Sequence, residues 1–109
     1  MAVLINSVNE LKTTMNNVDF GDKIVFFKFG ADWCVPCKTL EKNLKNIPGF
    51  NDILVYKISI DNPDFEKYME ENDIFNIPDT FVKYRKKNSR FKGPKTIPQL
   101  QEIINNLIN

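Results

Sequence analysis

Two stretches, KIVFFKF (residues 23–29) and ILVYKISI (residues 53–60), leave this chain little choice of fold. Both are almost unbroken runs of β-branched and aromatic residues. A strand with one wet face alternates apolar and polar side chains, whereas a continuous run is the pattern of a strand covered on both faces. Between them Cys37, Leu40, Glu41, Leu44 and Ile47 recur at helical spacing, and Pro48-Gly49 supplies the stop. Strand, helix, strand in that order predicts a right-handed parallel crossover.

The flanking segments extend the pattern. VLI (residues 3–5) reads as a short strand. Ser7, with Glu10 three residues on, has the form of a capping box opening a helix over residues 8–17 that buries Val8, Leu11 and Met15. Asn62 followed by Pro63 starts another helix. TFVKYR and SRFKG, around a turn at Lys87-Asn88, predict an antiparallel hairpin. TIPQLQEIINNLIN predicts a closing amphipathic helix with Ile97, Leu100, Ile104 and Leu107 inward. The order β-α-β-α-β-α-β-β-α predicts an α/β domain over residues 1–109. Its mixed sheet of about five strands has helices on both faces.

A chain of 109 residues buries a real core without staples or a structural metal. A net charge of +1 gives no overall pull toward nucleic acid or membrane, and no stretch has the apolar length of a bilayer span. The first 17 residues lack the pattern of a secretory signal. The expectation is therefore a cytoplasmic protein, where structural disulfides are uncommon; a processed form stays open.

Against that background the only two cysteines, Cys34 and Cys37, need a reason. A structural zinc ion takes four ligands, and a chain with two Cys and no His would need carboxylates or a partner chain. A disulfide across so short a loop restrains little of the unfolded chain. Two buried thiols acting as small apolar residues remain open. A redox couple accounts best for the placement, after a buried strand and in a first helical turn, where free N–H groups and the dipole favour an anion. The dipole contributes only about 0.3–1 kcal/mol, so hydrogen bonds from the Cys37 S–H and backbone N–H must add to it. Pro36 has no N–H to offer, is tolerated in a first turn and stiffens it. Cys34, at the exposed tip, is the expected nucleophile, and Cys37, one turn in, the resolving thiol.

A buried strand, ADWCVPCK, a helix, and NIPD ahead of a hairpin together resemble the thioredoxin family over nearly the whole chain. The resemblance implies a thioredoxin fold and a protein disulfide reductase with no bound cofactor. It acts on protein disulfides through a Cys34–Cys37 couple and is itself reduced by a flavin- and NADPH-dependent thioredoxin reductase. It also implies that Trp33 shields the first cysteine, that Ile77-Pro78 is a cis-proline segment offering backbone to an extended substrate, and that Gly93 lets that substrate approach. The expected state is a monomer. Two other roles stand beside this one: a net oxidant or isomerase, and an interaction subunit whose cysteines are incidental.

The sequence departs from the family pattern in several places. Val35-Pro36 stands between the cysteines where thioredoxins have Gly-Pro, glutaredoxins Pro-Tyr and disulfide isomerases Gly-His. Lys28 replaces the family's buried aspartate beneath the cysteine helix, which reverses the electrostatics there. A charged, buried Lys28 would acidify Cys37 and need a partner. Glu41, one turn beyond Cys37, is the candidate to take the carboxylate role between Lys28 and Lys57; otherwise Lys28 reaches the surface and Glu41 is solvated. Gly30 stands in place of a second aromatic, no proline kinks the helix near Lys42, and Asp79 follows Pro78 where threonine is usual. A carboxylate at position 79 is expected to oppose thiolate formation and repel acidic substrates.

Charge is unevenly laid out. Residues 83–95 carry seven basic side chains and no acid, and residues 63–73 carry five acids against one lysine. The plain interpretation is two solvated faces; the functional one is a surface that steers oppositely charged partners. Tyr84 and Phe91 interleave with the basic residues, as in some nucleic-acid binders, but alternation along a hairpin equally turns them into the core.

Overall fold

The computed structural model describes residues 2–17 and 20–109. Its elements run β1 (Ala2–Ile5), α1 (Val8–Met15), β2 (Ile24–Gly30), α2 (Val35–Asn46), β3 (Ile53–Ser59), α3 (Glu66–Glu71), β4 (Asp79–Tyr84), β5 (Lys87–Lys92) and α4 (Ile97–Ile108). Short 3-10 turns at Phe50–Asp52 and Pro63–Phe65 lead into β3 and α3. The expected domain includes Met1, Val18 and Asp19, which lie outside the described residues.

The five strands form one sheet in the order β1-β3-β2-β4-β5. β2 lies at its centre, parallel to β3 and antiparallel to β4, and all seven of its residues are buried. That is the position its continuous apolar run predicts. Successive residues of β2 point to opposite faces. Ile24 and Phe26 join Leu40 and Leu44 of α2 and Leu100 and Leu107 of α4. Val25, Phe27 and Phe29 join Leu11 of α1, Phe65 and Ile74. One face of the sheet thus packs on α2 and α4, the other on α1 and the α3 region. Burying each of these large side chains contributes about 1.5–3 kcal/mol, so Phe26, Phe27, Phe29 and Phe65, all essentially inaccessible, anchor both layers.

Local details refine the expectations. α1 stops at Met15, with Asn16 as its C-cap; Leu11 is fully buried, while Val8 and Met15 are only partly covered. Ser7 caps it by accepting the Glu10 N–H at 3.1 Å. The reciprocal bonds of a full capping box appear at α4 instead, where the Thr96 hydroxyl accepts from the Gln99 N–H and the Gln99 side chain accepts from the Thr96 N–H. Asn62 caps the 3-10 turn Pro63–Phe65 rather than α3 itself. The hairpin turn is Arg85-Lys86, not Lys87-Asn88, because Tyr84 pairs with Lys87. Arg85 has φ +55°, which closes the turn there and leaves Lys87 and Asn88 in the strand. Phe91 is buried in the core and Tyr84 packs partly against it, the placement that hairpin alternation allows.

Candidate redox site

α2 begins directly beyond the end of β2, and its first turn carries the two cysteines. Cys34 is the N-cap and Cys37 the third helical residue; they are joined in a disulfide, with Cα atoms 5.3 Å apart. The Cys37 N–H donates to Cys34 Sγ at 3.2 Å. This backbone bond is the one expected to supplement the helix dipole at the first sulfur. Pro36 lies in the first turn, where its missing N–H costs nothing.

Cys34 is not the exposed tip that the sequence suggested. Its relative exposure is 4%, and that of Cys37 is 3%. Exposure belongs to its neighbours, Trp33 at 64% and Val35 at 69%. A cap residue is tucked against the turn it closes, and here the flanking side chains fan outward around it. The Trp33 indole is fixed in that position by donating to Asp61 Oδ2 at 2.9 Å, from the loop after β3.

The Ile77-Pro78 peptide is cis, as the resemblance implied. Pro78 is buried, and its carbonyl accepts the Gly93 N–H at 2.8 Å. Gly93 has φ +80°, a conformation that side-chain-bearing residues rarely adopt. The three residues thus meet where β4 begins and β5 ends, and exposed Phe75 lies in the loop just before them.

Asp79 corrects an expectation. It is fully buried, but Thr80 next to it pairs with Lys28 and Val82 lies in the α2–α4 layer, so Asp79 faces the opposite side of the sheet. Arg90 meets it with two hydrogen bonds, at 3.0 and 2.6 Å, and Lys92 Nζ lies 3.9 Å away. Its charge is compensated there rather than aimed at the sulfurs. Arg90 also donates to the Asp73 carbonyl, tying Asp79 to the loop that leads to Pro78. The bond to Asp79 raises the Arg90 guanidinium further above its usual range.

Lys28, Glu41 and Lys57 do come together. Lys28 and Lys57 are direct partners in the parallel register of β2 and β3. Both ammonium groups lie 3.6 Å from Glu41 Oε2, and Lys45 lies 3.8 Å from Oε1. Lys28 is 3% exposed, so it does not reach the surface, and Glu41 is not simply solvated. Burial, reinforced by Lys57 and Lys45, draws the Lys28 ammonium below its ordinary value despite Glu41. Burial pushes the Glu41 carboxyl up, but Lys28, Lys57 and Lys45 together outweigh it and hold the group low. Lys28, Glu41, Lys57 and Cys37 line one cleft of about 410 Å³.

Sequence reasoning missed Asp61, Arg90 and Phe75. Asp61 and Arg90 gave no signal beyond charge. Phe75 had one: an aromatic residue in a polar loop two residues before Ile77.

A thioredoxin family model matches residues 3–106. The chain is 35% identical to thioredoxin H8 of Arabidopsis thaliana over 60 residues, which is 54% of this chain and 40% of that protein. It is 29% identical to thioredoxin of Gallus gallus over 107 residues, 90% of this chain and 99% of that one. A match to thioredoxin domain-containing protein 2 of Rattus norvegicus, 26% identical, covers 69% of this chain but only 14% of that protein. The chain therefore spans less than half the length of some of its curated relatives. Among solved structures, thioredoxin O2 of Arabidopsis thaliana in its oxidised state superposes with a TM-score of 0.74 at 20% identity, covering 99% of this chain and 95% of that one. The family match runs from β1 into α4 and takes in both cysteines, the cis-proline and Gly93: this chain belongs to the thioredoxin family.

Proposed function

We propose that this protein is a thioredoxin-like protein disulfide reductase. The observation that carries the reading is the Cys34–Cys37 disulfide on the first turn of α2, with the Cys37 N–H directed at Cys34 Sγ. Cys34 as thiolate attacks one sulfur of a substrate disulfide, forming a mixed disulfide and expelling the other sulfur as thiolate. Cys37 loses its proton and attacks Cys34 Sγ. The substrate's second thiolate leaves, and the Cys34–Cys37 bond closes. Two electrons pass to the substrate, whose thiolates take up the protons given up by the two cysteines.

Trp33, Ile77, Pro78 and Gly93 surround the reacting sulfurs in this reading. The left-handed backbone at Gly93 and the cis peptide present main chain to an extended segment of substrate, and Trp33 covers one side. The oxidised protein is returned to the dithiol by a flavin- and NADPH-dependent reductase, and it works as a monomer in the cytoplasm, where a dithiol donor can be maintained.

Insulin disulfide reduction tests the reading. The parent protein accelerates it, Cys34→Ser abolishes the acceleration, and Cys37→Ser accumulates a mixed disulfide visible by mass spectrometry. If the parent does not accelerate insulin reduction and its interaction role survives Cys34→Ser, the cysteines are incidental and the chain is an interaction subunit. A reduction potential in the range of strong oxidants assigns it to net oxidation instead.

A further inference from the structure

The Lys28 cluster has the charge opposite to that expected beneath a cysteine helix, and its geometry relates it to one sulfur in particular. Gly30 and Lys28 lie two apart on β2 and so project to the same face, about 7 Å apart along the strand. A Cβ built on Gly30 would stand 3.0 Å from Cys37 Sγ, so the sulfur rests directly on the strand with no side chain between. On the helix above, Glu41 follows Cys37 by one turn on the same side. Strand spacing and helix spacing therefore stack Cys37 over Gly30 and Glu41 over Lys28, and all four line the same cleft.

We propose that Lys28 is a positioning residue for the resolving thiol: its ammonium, held beneath α2 by Glu41, is the countercharge for the Cys37 thiolate. This rests on the reductase reading only in taking Cys37 as the thiol that resolves the mixed disulfide. In that step Cys37 S–H gives up its proton to water in the cleft, and the thiolate forms the bond to Cys34 Sγ as the substrate thiolate departs. Lys28 keeps its own proton throughout. The helix dipole changes thiol acidity by less than about tenfold, whereas an opposite charge about 7 Å away in a protein interior changes it by about tenfold or more.

The charged groups around the cluster leave an excess of positive charge. Glu41 and Lys45 come from α2, Lys57 from β3, and Lys38 and Asp32 line the cleft on its α2 side. β4 contributes no charge on this face. Its residue paired with Lys28 is Thr80, whose buried hydroxyl lacks a hydrogen-bond partner among the described residues. Glu41 binds three ammonium groups at once, so it orients Lys28 without cancelling the field of the cluster.

The test uses the Cys34→Ser background, in which Cys37 is the sole thiol. Its ionisation is followed by ultraviolet thiolate absorbance against pH. Adding Lys28→Met lowers the thiolate fraction at neutral pH about tenfold, Lys28→Arg keeps it near the background value, and Glu41→Gln raises it. Opposite movement for the Lys28 and Glu41 changes is the signature, because a merely structural role would move both in one direction or neither. Glu41 is partly exposed, so its variant supplies a second arm of the test that leaves the buried Lys28 in place. Coincident curves, or shifts of the same sign, overturn the proposal. The titration involves no substrate, so an inactive protein with these shifts counts against the reductase reading alone, and an active one without them against the role of Lys28 alone.

Discussion

Gly30 and Cys37 are in contact across the β2–α2 junction so closely that a methyl group on the glycine would come within 3.0 Å of the sulfur. In the oxidised protein that sulfur is bonded to Cys34 and cannot rotate away. Gly30→Ala therefore destabilises the oxidised form by about 1–3 kcal/mol, the usual cost of overpacking. The reduced form loses less, because the free thiol can turn. The change is read as a lower urea midpoint for the oxidised protein and a reduction potential that rises by about 30 mV for each ~1.4 kcal/mol of difference. Equal losses in both forms would show that the contact is relieved elsewhere.

Lys28 is expected to cost stability as well as to supply charge. Burial lowers its folded value from 10.5, and the cost of burying the charge is fully present below that lowered value. Between the lowered value and 10.5 the unfolded chain holds more protons than the folded one, so the parent gains stability as pH rises through that window. Lys28→Met, which leaves Glu41 paired with Lys57 and Lys45, raises the free energy of unfolding by about 1 kcal/mol below that window, and its advantage shrinks toward pH 10.5. Glu41 behaves in the opposite sense. Its folded value lies below 4.5, so its stabilisation is present above that pH and lost as pH falls through the depressed value. Glu41→Gln lacks this acid-side component. Denaturation curves across pH check both signs.

The Asp79–Arg90 pair gives a larger effect. Arg90→Leu strands a fully buried carboxylate with only Lys92, 3.9 Å away. The expected loss is about 3 kcal/mol. The Asp73 carbonyl loses its guanidinium donor at the same time, so amide exchange in residues 73–78 speeds up beyond the global change. Uniform acceleration would mean that Arg90 does not hold that loop.

Trp33 is the only tryptophan, so its emission reports on the site alone. Asp61→Ala removes the acceptor of its indole N–H, a net contribution of about 1 kcal/mol. The expected result is altered emission and slower insulin reduction, with a thermal midpoint lower by a few degrees. Unaltered emission would show that packing alone sets the indole.

Much of this arrangement was legible in the residues themselves. The unbroken apolar runs of β2 and β3 marked strands inside the sheet, and helical spacing from Cys37 to Ile47 marked the buried side of α2. The grouping of Lys28, Glu41 and Lys57 was suggested by the family resemblance, with helical spacing placing Glu41 one turn beyond Cys37, and the alternative of a surface-reaching Lys28 stayed open until burial settled it. Other features depended on contacts between distant segments. Cys34 is covered because it caps a helix, which neither its type nor its neighbours disclose. The side of the sheet on which Asp79 lies depends on register against β2, and the turn at Arg85-Lys86 has none of the glycine or asparagine that usually marks a two-residue hairpin.

The place of β2 in the sheet order has a consequence for how the centre comes into being. Its cysteine-bearing helix follows from the amino-terminal half of the chain, while the cis-proline and Gly93 arrive with β4 and β5 from the other half. Neither half alone holds both the sulfurs and the cis-proline segment. On the proposed reading, two separate polypeptides divided in the loop before Pro78 would have to associate before sulfurs and substrate-presenting backbone met on one surface.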